Sequence, residues 1–480
     1  MRFLHPSFDE QLELSLDDVF LVPGYSNAGS RSMVDLTPRD FPGGSLPIVS
    51  ANMNAVTGKR MAETMARYGG LGVLPQDMEI STVERIVSHI KQADVRYDTP
   101  LVVTAEAPLR DVRSIIRKRA QDMVIVVDHE NRPLGIITHA DLPEHDLYTP
   151  AGQLMSQQMV TINIDTSNRS AFERMEEERV ESAPVVDHQG CLVGVLSRDD
   201  AVRLEVLKPA LDAKARLMVG AAVAISAEVA ERIEQLVAIG VDFVVLDTAH
   251  GHQQQMIDAI IAARQVAGKV LPIVAGNVCT AEGTKALLDA GADVVKVNVG
   301  PGSMCTTRMQ TGVGRPTFSA VYNSVKEARR HGKHIWADGG VHFPRDVALY
   351  LAAGASRVMV GTLLAGTYES PGDIKEDRDG KLYKENYGMA SSRAVHNRTA
   401  ALDAFDRAQK GLFQEGISSS KVYLREGLSS VGDHLINIAT GVQSAFTYVG
   451  ATDTESFAKK AVIGVQTSAG FGEGKAQGKM

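Results

Sequence analysis

Short apolar runs alternate with helix-like stretches along most of this chain. Eight runs read as buried strands, and stretches with helical spacing lie between them, for example at 227–238 and 281–290. The predicted strands cover 46–50, 70–74, 217–220, 243–247, 272–277, 293–299, 334–338 and 357–361. Strands that alternate with helices predict parallel pairing. Eight such units predict the α/β fold called a (β/α)8, or TIM, barrel.

The alternation stops at about residue 97 and resumes after about residue 205. Between them lie two similar halves, each with a strand, a charged helix and two further strands, closing at 135–141 and 194–200. A repeat of this kind marks a duplicated module. The pattern resembles a tandem pair of CBS motifs, which implies regulation by purine nucleotides. A purely structural insertion without a ligand is the equal alternative.

These patterns divide the chain into three segments. Residues 1–96 are predicted as the first part of a catalytic barrel, 97–205 as the tandem module, and 206–480 as the second part of the barrel. The last segment includes a predicted flap at about 387–425 and a C-terminal tail.

Composition narrows the class of protein without changing this architecture. The 480 residues are 44% hydrophobic and 22% charged, which is typical of a globular protein, and the net charge of −8 gives no indication of nucleic-acid binding. Three scattered cysteines argue against disulfides or a zinc site and fit a reducing cytoplasm. There is no signal-peptide pattern and no run of 18 apolar residues, so we expect no membrane span.

The sixth predicted strand ends in a tight loop that carries a single cysteine. Gly300, Pro301, Gly302 and Ser303 precede it, and two threonines and an arginine follow Cys305. Glycines let backbone amides approach a ligand, and the hydroxyls and the cation would lie beside the thiol. This arrangement favours a cysteine nucleophile next to an anionic substrate over a merely structural cysteine.

The other strand ends carry groups suited to a nucleotide. Ser303, Gly339, Gly340, Gly361 and Thr362 end the last strands of the barrel, where backbone amides commonly hold a phosphate. Asp338 would accept hydrogen bonds from ribose hydroxyls, and Asp247 ends the fourth strand. Helix capping is the alternative role for both aspartates. Together they suggest a nucleoside monophosphate beside the thiol, with room for a second ligand.

Several motifs together resemble those of the IMP dehydrogenase / GMP reductase family. They are the cysteine loop at 300–308, Ala-Asp-Gly-Gly-Val at 337–341, Tyr-Gly-Met-Ala-Ser at 387–391 and Glu-Gly at 415–416. The N-terminal segments 17–23 and 50–53 agree. The resemblance implies that the Cys305 thiolate attacks purine C2 to form a thioimidate. Thr307 would relay a proton and Glu415 would assist.

The resemblance also implies the binding residues. Substrate contacts are expected from Ser50, Ser303, Asp338, Gly339, Gly340, Gly361, Thr362, Tyr387, Gly388, Met389, Ala390, Glu415 and Gly416. Cofactor contacts are expected from Ser26, Asn27, Asp247, Thr248, Asn277, Asn298, Val299 and Gly300. A monovalent cation such as K⁺ is implied at Gly300, Gly302 and Cys305, and Arg31 joins Ser26 and Asn27 as a candidate for a cofactor 2′-phosphate. Family members form homotetramers that can pair into octamers.

The flap sequence favours the reductase reaction of this family. Dehydrogenases activate water with an arginine followed by tyrosine, but the flap arginines here are followed by Ala394, Thr399 and Ala408. The expected reaction is NADPH-dependent conversion of GMP to IMP and ammonia. An NAD-dependent IMP dehydrogenase that forms XMP, with another residue activating water, is the alternative. A non-catalytic nucleotide sensor is a third possibility.

Overall fold

The computed structural model describes residues 1–4, 12–142, 146–388, 405, 409, 417 and 419–475. Four residues predicted to contact the substrate therefore lie outside the described residues: Met389, Ala390, Glu415 and Gly416. Most of the predicted flap lies outside them as well.

The described strands are numbered in chain order. They are β1 (Arg2–Phe3), β2 (Val19–Val22), β3 (Ile48–Ser50), β4 (Leu71–Leu74), β5 (Val102–Thr104), β6 (Met123–Val127), β7 (Pro133–Thr138), β8 (Ile162–Asn163), β9 (Ser182–Val186), β10 (Leu192–Ser197), β11 (Gly220–Val223), β12 (Phe243–Asp247), β13 (Ile273–Val278), β14 (Val294–Val297), β15 (His334–Asp338), β16 (Arg357–Val360), β17 (Lys375–Glu376), β18 (Leu382–Asn386), β19 (Ser420–Tyr423) and β20 (Val462–Val465).

The described α-helices are numbered in the same way, and short 3₁₀ turns occur at Arg31–Met33, Ile116–Lys118 and His139–Asp141. The helices are α1 (Lys59–Arg67), α2 (Ile80–Gln92), α3 (Leu109–Ile115), α4 (Ala151–Leu154), α5 (Asn168–Glu177), α6 (Arg198–Val206), α7 (Val229–Ile239), α8 (Gln254–Ala267), α9 (Ala281–Asp289), α10 (Thr307–Thr311), α11 (Thr317–Arg330), α12 (Pro344–Ala353), α13 (Thr362–Ala365), α14 (Val431–Val449), α15 (Thr454–Lys460) and α16 (Ser468–Glu473).

Eight parallel strands close into a barrel, which confirms the predicted fold. The strands follow one another around the barrel in the order β11, β12, β13, β14, β15, β16, β3 and β4, and β4 pairs with β11 to complete the circle. Helices lie between successive barrel strands along the chain. The strand side chains form one continuous apolar core with the surrounding helices.

The third barrel strand was predicted too early. The apolar run at 217–220 suggested a strand, but the pairing with β12 begins only at Gly220 and continues to Val223. Leu217 instead bridges Leu211 in the approach to the barrel. The error arose because β11 contains two alanines, whose strand preference is weak.

Aromatic rings and a buried ion pair occupy the N-terminal end of the barrel. The ring of Phe243 lies 5.4 Å from that of Phe41 and 5.8 Å from that of Trp336. The Trp336 indole donates to Asp40 at 2.6 Å, and the Arg357 guanidinium contacts the same carboxylate at 2.9 Å. In this fold, ligands bind at the opposite end, where the strands terminate.

The segment between α2 and β11 forms two small sheets. The first has the order β5–β6–β7 and the second the order β8–β9–β10. In each sheet the first pair of strands is parallel and the second is antiparallel. The two halves of the sequence repeat thus adopt the same strand arrangement. The module's resemblance to CBS motifs remains a prediction.

A buried cluster of charges joins this segment to the barrel. Glu63 of α1 is fully buried and contacts Arg67 at 2.6 Å and Arg119 at 2.8 Å. Arg67 also contacts Asp98 at 3.3 Å, just where the chain leaves the barrel. Burial alone would raise the pKa of Glu63, but Arg119 and Arg67 outweigh it and hold that pKa well below its usual value. Glu63 is therefore ionised at neutral pH.

Smaller elements complete the described fold. β20 pairs with β1 and β2 in a peripheral sheet, and α14 packs against α12. β17, β18 and β19 form an antiparallel sheet, and the predicted flap at about 387–425 begins after β18 and includes β19. Among the described residues, no helix has the length and apolar character needed to span a bilayer.

Candidate active site

The C-terminal ends of the barrel strands bring the predicted site residues to one end of the molecule. Ser50, Asp247 and Asp338 are the last residues of β3, β12 and β15. Asn277 lies near the end of β13, and Asn298 directly follows β14. Since all eight strands are parallel, these side chains surround one opening.

The cysteine loop lies between β14 and α10 at this opening. The Cys305 amide donates to the Gly302 carbonyl at 2.8 Å, which folds the loop into a tight turn. The Cys305 side chain is exposed, and its Sγ lies 3.2 Å from Oγ1 of Thr307, the first residue of α10. A solvent-accessible thiol beside a hydroxyl is the geometry that the sequence predicted.

Glycine is required at Gly300 for two reasons. Its φ of +93° is disfavoured for residues with a Cβ, and a Cβ there would lie 2.4 Å from Cγ of Arg308. The Arg308 stem therefore packs directly on the loop backbone. The turn that presents the thiol depends on this close approach.

The seventh strand end packs against the cysteine loop. A Cβ built on Gly339 would lie 3.7 Å from Cα of Gly302, and one on Gly340 would lie 3.5 Å from Cβ of Pro301. The backbone of the predicted phosphate-binding glycines is therefore adjacent to the turn that carries Cys305.

A buried lysine forms the floor of the opening. Lys296 of β14 is 2% exposed, and its Nζ contacts Oδ1 of Asp247 at 2.9 Å and Oδ2 of Asp338. Asn52 donates to Oδ2 of Asp247 at 2.8 Å, and Asn277 donates to Oδ2 of Asp338 at 2.9 Å. Burial alone would lower the pKa of Lys296, but Asp247 and Asp338 outweigh it and raise that pKa, so the ammonium stays charged.

Tyr350 of α12 supports the same floor from behind. Its hydroxyl donates to the Gly339 carbonyl at 3.0 Å and lies 3.2 Å from Nδ2 of Asn298, which also lies 3.1 Å from the Asp338 carbonyl. Burial raises the pKa of Tyr350, so its hydroxyl remains protonated and can donate. Within the described chain, the buried Oδ1 atoms of Asn277 and Asn298 have no hydrogen-bond partner.

The base of the flap reaches the cysteine loop. The Gly388 amide donates to the Ile417 carbonyl at 3.0 Å, and the Ile417 amide donates to the Met304 carbonyl at 3.1 Å. Tyr387 follows β18 directly. The side chain of Asn386 is buried, and neither its Oδ1 nor its Nδ2 has a partner in the described chain.

The remaining predicted residues occupy different environments. Ser50 is buried and accepts from Thr57 at 2.8 Å, whereas Ser303 is exposed. The Thr248 amide donates to the Gly276 carbonyl at 2.9 Å, and buried Val299 lies between Asn298 and Gly300. Gly361 directly follows β16, and Thr362 is the first residue of α13.

Three candidate cofactor residues lie apart from this cluster. Ser26, Asn27 and Arg31 are exposed, and the segment leading to them contacts the end of α14, where the Gly24 amide donates to the Tyr448 carbonyl at 2.9 Å. None of the contacts described above joins them to the residues around Cys305.

The candidate cation ligands lie within the cysteine turn. The Gly302 carbonyl already accepts the Cys305 amide, although a carbonyl oxygen can accept a second contact. No group of three or more His, Cys, Asp and Glu side chains suited to a metal is found among the described residues. A cation here would therefore depend on backbone carbonyls.

Sequence reasoning missed Lys296 and Tyr350. Lys296 stands alone in the apolar run of β14, and a charge in a fully buried strand requires a partner. That isolated lysine was the available signal. Tyr350 gave no comparable signal, because a tyrosine in an apolar helix is ordinary core.

A model of the IMP dehydrogenase / GMP reductase domain matches residues 13–477. The chain belongs to the IMP dehydrogenase / GMP reductase family. The match covers the barrel, the inserted segment and the C-terminal helices, and it confirms the resemblance found in the motifs.

Relatives from both branches of the family span nearly the whole chain. A GMP reductase from Mycobacterium tuberculosis is 48% identical over 477 residues, covering 99% of this chain and 98% of its own. An inosine-5′-monophosphate dehydrogenase from Staphylococcus saprophyticus is 38% identical, covering 97% and 95%. A solved structure of a cysteine-to-alanine variant of GMP reductase from Trypanosoma brucei, in complex with guanosine 5′-monophosphate, is similar with a TM-score of 0.69. That variant is 32% identical, over 99% of this chain and 100% of its own.

Proposed function

We propose that this protein is a GMP reductase that converts GMP to IMP and ammonia with NADPH as the reductant. The observation that carries the choice of a reductase is the flap sequence, which has no Arg-Tyr pair, and the 48% identity with mycobacterial GMP reductases supports it. The exposed Cys305 thiol, 3.2 Å from the Thr307 hydroxyl, supports covalent catalysis but fits both reactions of the family.

The chemistry assigned to the thiol is covalent catalysis at purine C2. The Cys305 thiolate adds to C2 of GMP, and the exocyclic amine leaves as ammonia after taking up a proton, which gives a thioimidate. Thr307, with Glu415, is assigned to deliver that proton. When bound, NADPH would supply the hydride that reduces C2, and breakage of the C2–S bond would then release IMP and the Cys305 thiolate. No water is added at C2 in this sequence, so a flap without a water-activating pair is consistent with it.

The strand ends are assigned to hold the substrate. Asp338 accepts from the ribose hydroxyls through its carboxylate, and the backbone amides around Gly339 and Gly340 bind the phosphate, because they lie against the turn that carries the thiol. Ser303, Gly361, Thr362 and Tyr387 are assigned to the same phosphate, and Ser50 is assigned to the substrate. Gly388, Met389, Ala390 and Gly416 are assigned to the base, and the contact of Gly388 with Ile417 supports its place near Met304.

The cofactor side lies toward the fourth and fifth strands. A buried Asn277 Oδ1 without a partner in the described chain fits a donor of the nicotinamide riboside, such as a ribose hydroxyl or the carboxamide. Asp247 would accept from the same riboside, with Thr248, Asn298, Val299 and Gly300 around it. Ser26, Asn27 and Arg31 are proposed for the far end of NADPH. K⁺ is proposed at the carbonyls of Gly300, Gly302 and Cys305.

The proposals for regulation and oligomeric assembly rest on the same resemblance to the family. We assign residues 97–205 to a tandem CBS module that binds purine nucleotides, with 1–96 and 206–480 forming the catalytic unit. The repeated strand order of the two small sheets supports a duplicated module. A cytoplasmic homotetramer, able to pair into an octamer, is the proposed assembly.

One assay tests the reaction directly. Purified protein is mixed with GMP and NADPH, and the near-ultraviolet absorbance of NADPH is followed together with ammonia release. We expect both to change in equal amounts, with IMP as the product. Formation of NADH from IMP and NAD would identify a dehydrogenase instead, and failure to turn over either substrate would indicate a nucleotide sensor.

A further inference from the structure

The floor of the opening contains two carboxylates and one ammonium. Lys296 Nζ lies 2.9 Å from Asp247 and also contacts Asp338, and it is the cation that joins them in the described chain. Asp247 belongs to the fourth strand and Asp338 to the seventh. One buried side chain therefore links two strand ends that the proposed function assigns to different ligands.

The hydrogen bonds fix which oxygen of Asp338 is available. Lys296 and Asn277 both contact Oδ2, and no contact to Oδ1 is found within the described chain. On Asp247, Lys296 takes Oδ1 and Asn52 takes Oδ2. The carboxylates are thus held at set angles by amides on one side and a shared ammonium between them.

Removing the Lys296 ammonium would alter the positions of both carboxylates, Asp247 and Asp338. Two partly buried negative charges would lose the attraction of their shared cation and repel each other, so one carboxylate would turn away or both would move apart. The amides of Asn52 and Asn277 remain but carry no net charge. Either response alters the acceptor geometry on both sides of the opening.

We propose that Lys296 is a positioning residue that sets Asp338 for the ribose of the purine nucleotide and Asp247 for the nicotinamide nucleotide. The inference rests on the proposed function for the identity of the two ligands. Lys296 does not touch the reacting atoms. Because it contacts both carboxylates, the positive charge of Lys296 influences the affinity for each of the two nucleotides.

The test compares Lys296→Met, Lys296→Arg and a matched control. Lys91 is also buried and also bridges two aspartates, Asp212 at 3.0 Å and Asp242 at 2.7 Å, but Asp242 directly precedes β12 at the opposite end of the barrel. Lys91→Met therefore removes a similar buried bridge far from the opening. KM for GMP, KM for NADPH and kcat are measured for each variant, and the binding of GMP and of NADP⁺ is measured separately by calorimetry.

We expect Lys296→Met to weaken GMP and NADP⁺ binding by about tenfold or more each. Lys296→Arg should recover much of both affinities, and Lys91→Met should leave both KM values near wild type even if it lowers stability. Unchanged affinity for either nucleotide in a folded Lys296→Met protein overturns the inference. Equal losses of affinity for the two nucleotides in the Lys91→Met control overturn the inference as well.

A second variant keeps the inference testable if Lys296→Met does not fold. Asp247→Asn leaves the lysine paired with Asp338 alone, so GMP affinity should change severalfold although Asp247 is assigned to the other nucleotide. No change in GMP affinity refutes the shared bridge. If the wild-type protein neither binds nor turns over GMP, the proposed function fails first, and that result is separate from either outcome above.

Discussion

The buried carboxylate of Glu63 allows a quantitative prediction about the joint between barrel and inserted segment. Its side chain is 0% exposed and contacts two guanidiniums, at 2.6 and 2.8 Å, with His89 at 3.2 Å. Glu63→Gln keeps the shape and one acceptor oxygen but leaves Arg67 and Arg119 without their shared counter-charge. Breaking a buried pair in this way costs about 3–5 kcal/mol.

The lower end of that range applies because glutamine retains part of the hydrogen bonding. With a urea dependence of about 3 kcal/mol per molar, a loss of about 3 kcal/mol lowers the unfolding midpoint by about 1 M. Equilibrium urea unfolding followed by circular dichroism measures the shift. The matched control is Glu173→Gln, which removes an exposed pair with Arg169 at the same spacing of four residues and should leave the midpoint nearly unchanged.

The pH dependence provides a second check on the same variant. The pKa of Glu63 is lowered in the fold, so its contribution is complete above the unfolded value near 4.5 and falls as pH drops below that value. The gap between wild type and Glu63→Gln should stay constant from neutral pH to about pH 5 and then narrow. Equal midpoints at neutral pH, or a gap that widens in acid, would refute the reasoning.

Three further predictions concern the thiol, a buried histidine and a tight glycine contact. Cys305→Ala should abolish turnover, whereas GMP binding measured by calorimetry should be retained. Turnover by the variant at the wild-type rate would argue against the thioimidate. Burial, with a smaller effect from a nearby arginine, lowers the pKa of His434 to about 4, so the unfolded state binds more protons between about pH 4 and 6.5 and stability rises with pH across that window. His434→Gln should flatten this rise in thermal midpoint, and an unchanged slope would count against it. Gly72→Ala places a Cβ 2.6 Å from Cα of Ala62 and should cost about 1–3 kcal/mol in urea unfolding, whereas Gly472→Ala, within α16, meets no neighbour within 4 Å and should not destabilise the protein.

The barrel was predictable because its strands are buried on both faces. Polar residues or glycines flank apolar runs such as Phe243–Asp247 and His334–Asp338, and the predicted limits of these runs match the structure. The third strand was misplaced because Ala221 and Ala222 carry little strand preference. Peripheral strands such as β1 and β17 have two residues each, which is too short to show an alternation of apolar and polar positions.

The clustering of the strand-end candidates at one opening was predictable from the sequence, but the contacts between them were not. Glycine-rich strand ends and the cysteine turn could be read from order along the chain, because the fold brings every strand end to one opening. The bridge from Lys296 to Asp247 and Asp338 could not be read, since it joins positions separated by 49 and 42 residues across three strands. Pairings of that kind depend on barrel geometry rather than on local sequence.

The way in which the inserted segment leaves and rejoins the barrel has a consequence for how such proteins can be rebuilt. The departing chain at Asp98 and the returning chain at Val195 exchange backbone hydrogen bonds of 3.0 and 2.9 Å, and Ala210 donates to Ala66 at 2.7 Å. Because the two ends of the inserted segment lie side by side, they span the same short distance whatever the length of the segment. The entropy cost of closing the loop therefore depends only weakly on that length. Since the insertion follows α2, on the side of the barrel where strands begin, a different segment could be inserted there without changing any loop around the thiol.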